Sequence, residues 1–263
     1  MSTSTAFERA RGEDRAVLVG YLPAGFPTFD GGVAALTAMV EAGVDVVEVG
    51  LPYSDPVMDG PTIQAAAEQA LRGGTRTRDV LRTVEAVAAT GAPTLCMTYW
   101  NPIERYGVPR FAADLAGAGG AGLITPDLIP EEAAPWLAAS DEHGLDRVFL
   151  VAPSSTGERI AATAAVCRGF VYAASLMGVT GTRDETSSHG AELVKRTRAA
   201  TQLPVGVGLG VSNGDQAAEV AGYADAVIVG SAFVRRLLDA DSPDAGVKAV
   251  AEFAAELADG VRR

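Results

Sequence analysis

The chain has 263 residues, 48% of them hydrophobic and only 6% aromatic, with Ala, Val, Gly and Leu dominant. Its formal net charge of −12 makes nucleic acid and anionic membranes poor partners, yet leaves a phosphate ligand open, because local backbone amides bind one whatever the global charge. No 18-residue apolar span occurs, the opening "MSTSTAFERARGEDRA" has no apolar secretory core, and Cys96 and Cys167 show no CxxC spacing. The expectation is a cytoplasmic protein with one domain over residues 1–263 and two reduced, buried thiols.

After an extra N-terminal segment, "AVLVGYL" (Ala16–Leu22) reads as a first strand and "GGVAALTAMVEAG" as a helix ended by Gly43. "VDVVEVG" is a second strand, followed by two helices, "PTIQAAAEQALRGG" and "TRDVLRTVEAVAATG". "PTLCMTY" is strand three, then the helix "VPRFAADLAGAG"; "GLITP" is strand four, then "PEEAAPWLAASDEHG". "RVFLVAP" and "GFVYAAS" are strands five and six, separated by the helix "TGERIAATAAVC". "LPVGVG" and "ADAVIVG" are strands seven and eight, and "DAGVKAVAEFAAEL" closes the chain. Short apolar runs of this kind are parallel strands buried on both faces. Eight of them alternating with helices, without a linker or a composition break, predict a single (β/α)₈ TIM barrel with helical insertions; a doubly wound open sheet is the competing fold.

In such a barrel the chemistry sits at the carboxyl ends of the strands. Glu48 lies near the end of strand two, inside an apolar run, and burying an unpaired carboxylate costs several kcal/mol. One reading is an internal salt bridge. The only lysines, Lys195 and Lys248, fall in predicted helices, and Arg147 opens strand five at the far end. The other reading is a carboxyl with a raised pKa, able to give and take a proton near neutral pH. Asp59 follows in "MDGP", either capping a helix from Pro61 or acting in catalysis from a loop over the barrel mouth. Asp55 in "SDP" suits a turn.

Strand seven runs into "GVGLGVSNGDQ" and strand eight into "GSAFV", which places small residues before helices and aims backbone amides at one space. That arrangement suits a phosphate, and also suits plain close packing of strand on helix. The glycine spacing is not that of a dinucleotide fold. Between strand six and the next helix, Leu176–Gly190 is long and polar and reads as a mobile lid containing a solvated His189. His143 reads as a helix C-terminal cation. No cluster has metal-ligand spacing.

Taken together, "VGYLPAGFP", "EVGLPYSDPVMDGPTIQ", "MTYWNP", "GFVYAASLMGVTG", "GVGLGVS" and "VIVGSAF" resemble the tryptophan synthase α subunits over nearly the whole chain. The resemblance implies a lyase of tryptophan biosynthesis that performs retro-aldol cleavage of indole-3-glycerol phosphate to indole and glyceraldehyde 3-phosphate. It implies no metal, flavin or Schiff base. It implies Glu48 as acid/base, Asp59 as acceptor of the indole N–H, and Tyr172 beside the reacting carbon. It further implies substrate contacts from Tyr21, Tyr99, Thr180, Gly181, Gly208, Gly210, Gly230 and Ser231. This chain then carries no cofactor, and pyridoxal phosphate belongs to a partner β subunit in an α₂β₂ complex. Pro52–Met58 and Trp100–Pro102 are the loops expected to meet that partner. Tyr53 and Met58 depart from the family pattern, as does Pro130, which stands one step late. A free-standing lyase and a catalytically silent activating subunit are the competing functions; intact Glu48 and Asp59 speak against the silent subunit. A Schiff-base aldolase lacks its strand lysine.

Overall fold

In the computed structural model, which describes residues 2–174 and 183–263, the eight apolar runs are strands. They are β1 (Val17–Pro23), β2 (Val46–Gly50), β3 (Thr94–Met97), β4 (Gly122–Thr125), β5 (Asp146–Val151), β6 (Val171–Ala174), β7 (Val205–Gly208) and β8 (Ala226–Val229). Each pairs in parallel with the next, and β8 pairs back to β1, so the sheet is a closed barrel and not an open one. Around it run α2 (Phe29–Glu41), α3 (Pro61–Arg72), α4 (Thr77–Ala88), α6 (Val108–Gly117), α7 (Ala134–Glu142), α8 (Gly157–Val166), α9 (Arg183–Arg198), α10 (Gly214–Ala221), α11 (Ser231–Leu238) and α12 (Pro243–Gly260).

Local chemistry sets several of the helix ends. Thr28, Thr156, Asn213 and Ser242 accept backbone N–H bonds at the starts of α2, α8, α10 and α12, and each satisfies an amide that the helix itself leaves unbonded. Three features depart from the sequence expectation. The N-terminal segment contains a helix, α1 (Ser4–Gly12). The stretch after strand three is also helical, α5 (Trp100–Tyr106), so Trp100–Pro102 form a first turn and not a loop. The backbone is already helical at Arg183, which shortens the expected lid and places His189, exposed, in α9.

The barrel wall has two apolar faces. Val17, Val19, Val46, Leu95, Ile124, Val148 and Phe170 fill its interior, while Val47, Val49, Leu123, Phe149, Val171 and Val227 face the helices. Side chains alternate along a strand, so both parities of each strand are buried, and a continuous apolar run results. Helix α1 closes the amino-terminal end, with the Phe7 ring 5.5 Å from that of Phe170. Its first turn is held by Asp146, whose Oδ2 accepts from Thr3 N at 2.7 Å and Thr3 Oγ1 at 2.8 Å.

A second acid at that end is paired. Asp45 accepts from Arg15 Nη1 at 2.7 Å, Arg9 Nη2 at 2.8 Å and Leu18 N at 3.0 Å. The Arg15 and Asp45 side chains are 3% and 4% exposed, while Arg9 is 57% exposed. Removing one partner of a buried pair strands the other charge. Asp45→Ala is therefore expected to cost roughly 3–5 kcal/mol in urea unfolding, whereas Arg9→Ala is expected to cost under about 1 kcal/mol.

Candidate active site

Glu48 is the third residue of β2, and register places it between Tyr21 of β1 and Leu95 of β3 on the inner face. It is 1% exposed, and its Oε1 has no hydrogen-bond partner among the described residues. Neither lysine nor Arg147 reaches it: Arg147 bonds Val166 O, Ser140 Oγ and Asp141 Oδ1 instead. The salt-bridge reading therefore fails, and the raised-pKa reading stands. Burial alone pushes the Glu48 carboxyl up to about 8. The rings of Tyr21 and Tyr172 stand near it, and burial, reinforced by nearby acidic groups, raises both phenols well above their usual range. Gly50 and Gly208 make room for these rings. A Cβ on Gly50 would collide with the Tyr21 hydroxyl, and one on Gly208 with that of Tyr172.

Asp59 lies in the β2–α3 loop, half-buried, and does not cap α3. The N-cap is Gly60, with Pro61 in the first turn. Its Oδ1 accepts from the Tyr99 hydroxyl at 3.1 Å. Burial raises its pKa and the Tyr99 hydrogen bond opposes the rise. Tyr99 falls outside β3, at the N-cap of α5.

These groups line one cleft of about 530 Å³ at the carboxyl ends of the strands, together with Gly208, Gly210, Gly230 and Ser231. Helix α11 begins at Ser231 with no side-chain cap; Phe233 N and Val234 N turn back to Gly230 O, which leaves the amides of Ser231 and Ala232 for a ligand. Gly210 adopts φ of 73° in the adjoining loop, a left-handed conformation in which glycine carries no steric penalty. By contrast, the first amide of α10, Gly214 N, is taken by Glu256 Oε1 at 2.7 Å. Thr180 and Gly181 lie outside the described residues.

Sequence reading missed the apolar wall formed by Leu51, Ile63, Met97 and Ile228; Arg235, beside the strand-eight glycine loop, stands at the rim and bonds Thr62 Oγ1 at 3.1 Å. For Met97 and Ile228 the signal was present as inward strand parity. The expected docking surface also needs correction. Val57 and Met58 are 79% and 39% exposed, but Pro52 is buried and Tyr53 is half-buried.

The sequence model of the family described as Tryptophan synthase alpha chain matches residues 7–262. The chain belongs to this family. It is 65% identical to a tryptophan synthase alpha chain of Salinispora tropica over 98% of this chain and 96% of that one. It is 64% identical to one of Thermobifida fusca over 96% and 95% of the two chains. Among solved structures, tryptophan synthase of Mycobacterium tuberculosis superposes with TM-score 0.92 at 57% identity, over 99% of this chain and 98% of that one. The tryptophan synthase subunit alpha of Legionella pneumophila superposes with TM-score 0.90 at 31% identity, over 99% and 98%.

In this tryptophan synthase alpha fold, Glu48 carries a stability signature of its own. Its folded-state pKa, about 8 against 4.5 for an ordinary glutamate, means the fold favours the protonated acid. That contribution is present in full below the unfolded pKa and is lost as pH rises through the folded one. Gln reproduces the neutral shape without the titration. Glu48→Gln is therefore expected to gain stability over the parent progressively from about pH 4.5 to about 8, by ~3 kcal/mol at pH 7, and by a constant amount above that. Urea unfolding of both proteins across this range measures it.

Proposed function

We propose that the cleft cleaves indole-3-glycerol phosphate by a retro-aldol reaction, as the α subunit of a tryptophan synthase. The observation that carries this reading is Glu48, a buried carboxyl with an unpartnered Oε1 and a pKa near 8, which shares one cleft with Asp59. Its similarity to tryptophan synthase alpha chains supports the reading.

The chemistry asks for two carboxyls in different states. Indole is a poor carbanion, so its C3 must be protonated before the bond to the side chain breaks. Protonated Glu48 supplies that proton, and the ionised Asp59 accepts the indole N–H as the ring becomes cationic. Glu48, now a carboxylate, takes the proton of the neighbouring glycerol hydroxyl. The O–H electrons form the aldehyde C=O, the C–C bond breaks, and its electron pair neutralises the ring. Glu48 ends protonated as it began, now with the hydroxyl proton. Tyr172 and Tyr21 exclude water from this step and wall the acid. The phosphate sits on the amides of Gly210, Gly230 and Ser231.

The partner is a β subunit that holds pyridoxal phosphate and consumes the indole. It docks on the exposed Val57–Met58 edge and the first turn of α5, in the Pro52–Met58 and Trp100–Pro102 segments, and forms an α₂β₂ complex. Exposed Val57 and Met58 beside the half-buried Tyr53 and Trp100 suit an interface core.

Indole release from indole-3-glycerol phosphate by the purified chain tests the reaction. Glu48→Gln and Asp59→Asn are each expected to lower kcat by ~10²-fold or more while the urea midpoint is kept or raised. In the parent, kcat/KM should rise with pH as Asp59 ionises and fall as Glu48 loses its proton near pH 8. Wild-type turnover by either variant would contradict the assignment. Titration with a cognate β subunit is expected to give a complex and to accelerate indole release together, since docking orders the Asp59 loop. Complex formation without acceleration removes that coupling.

A further inference from the structure

Asp59 sits in an exposed segment. Ser54, Asp55, Val57, Met58 and Gly60 around it all face solvent, and the loop supplies no rigid seat of its own. What holds the carboxyl comes from across the cleft. Tyr99 is 5% exposed, and its hydroxyl makes two hydrogen bonds. It donates to Asp59 Oδ1 at 3.1 Å and accepts from Met58 N at 2.9 Å. One phenol thus grips both the side chain of Asp59 and the backbone immediately before it.

Tyr99 is itself fixed from three sides. It lies two residues beyond the end of β3 and forms the N-cap of α5. The next amide, Trp100 N, donates to both carboxylate oxygens of Asp127, at 2.9 and 3.1 Å, which ties this corner to the loop after β4. Its ring lies 5.3 Å from that of Tyr53, whose hydroxyl accepts from Asn101 Nδ2 at 3.1 Å. The remaining polar tie to Asp59 among the described residues is to its backbone, where Gln64 Nε2 donates to its carbonyl at 2.7 Å. The direction of the carboxylate therefore depends on the phenol.

We propose that Tyr99 is a positioning residue that orients the Asp59 carboxylate from the rigid barrel, holding Oδ1 so that Oδ2 is presented to the N–H of the substrate. This rests on the role given to Asp59 in the proposed reaction. Oδ2 carries no other hydrogen bond among the described residues, as an acceptor reserved for a ligand requires. Burial raises the Tyr99 phenol above its usual range, so its proton stays in place and it remains a donor through neutral pH. The same bond favours the ionised form of Asp59 against burial, so Tyr99 sets both where the acceptor points and whether it is charged.

Tyr99→Phe keeps the ring and its contact with Tyr53 and removes only the hydroxyl. It is expected to lower kcat/KM for indole release roughly 10- to 100-fold, the range for losing a hydrogen bond to a charged group. It should also move the acidic limb of the pH profile to higher pH, because the lost bond had favoured the carboxylate. Carboxyl ¹³C titration of the unliganded protein should show the Asp59 midpoint rise by the same shift, while the urea midpoint establishes that the variant is folded. A variant with the parental kcat/KM overturns the proposal, and so does one whose rate falls while the Asp59 titration stays in place. The titration needs no substrate. A parent chain that releases no indole, with the Asp59 midpoint nonetheless raised by Tyr99→Phe, would overturn the reaction and leave the positioning intact.

Discussion

A carboxyl inside the barrel without a counter-charge is the constraint around which the site is organised. Glu48 occupies an inward position of β2 that Val46 shares on the same face, and nothing among the described residues donates to its Oε1. An acid so placed stays neutral near pH 7, because a solitary charge there costs several kcal/mol. The neighbours must then be groups that tolerate either state of the carboxyl: aromatic rings with firmly held protons, and glycines that let those rings approach. Tyr21 and Tyr172 are such groups, and Gly50 and Gly208 make their approach possible.

The second carboxyl differs by environment rather than by type. Glu48 hangs from a strand and is set by backbone register, so its direction comes with the fold. Asp59 hangs from a loop, where the backbone dictates little, and the fold compensates by reaching over with Tyr99. A half-buried acid that takes a phenolic hydrogen bond is easier to keep ionised than a sealed one. Two carboxyls of nearly equal intrinsic acidity thus meet different environments, the difference that the proposed reaction asks of its proton donor and its N–H acceptor.

Much of this could be read from the residues. The apolar runs gave away the barrel because strands buried on both faces leave no polar alternation, and Glu48 stood out because it broke such a run. Helix α1 was missed since Ser4–Gly12 shows the sequence almost no apolar stripe; it buries only Ala6, Phe7 and Ala10. Helix α5 was missed because "WNPIERY" is a short segment with proline near its start, which reads as a turn. The Tyr99–Asp59 bond joins residues 40 apart and depends on how β3 ends, so no local pattern announces it. Pro52 reads as a surface loop residue, yet it is buried, because the chain leaving β2 first folds inward over the barrel before Val57 and Met58 emerge.

The three buried acids among the described residues divide between two ends of the barrel. Asp45 and Asp146, at the amino-terminal end, are saturated, one by Arg15, Arg9 and Leu18 N, the other by Ser2 and Thr3. Their work is to fasten α1 and the strand ends, and in them satisfaction and stability coincide. Glu48, at the carboxyl-terminal end, is left unsatisfied. An arginine placed beside it would stabilise its charge, pull its pKa back toward that of an ordinary glutamate, and leave no proton to give near neutral pH. The instability at Glu48 is therefore not an imperfection that the other two acids happen to lack. It is the property that, in the proposed reaction, lets this carboxyl hold a proton near neutral pH and give it up, while the paired acids at the opposite end of the barrel add stability and no chemistry.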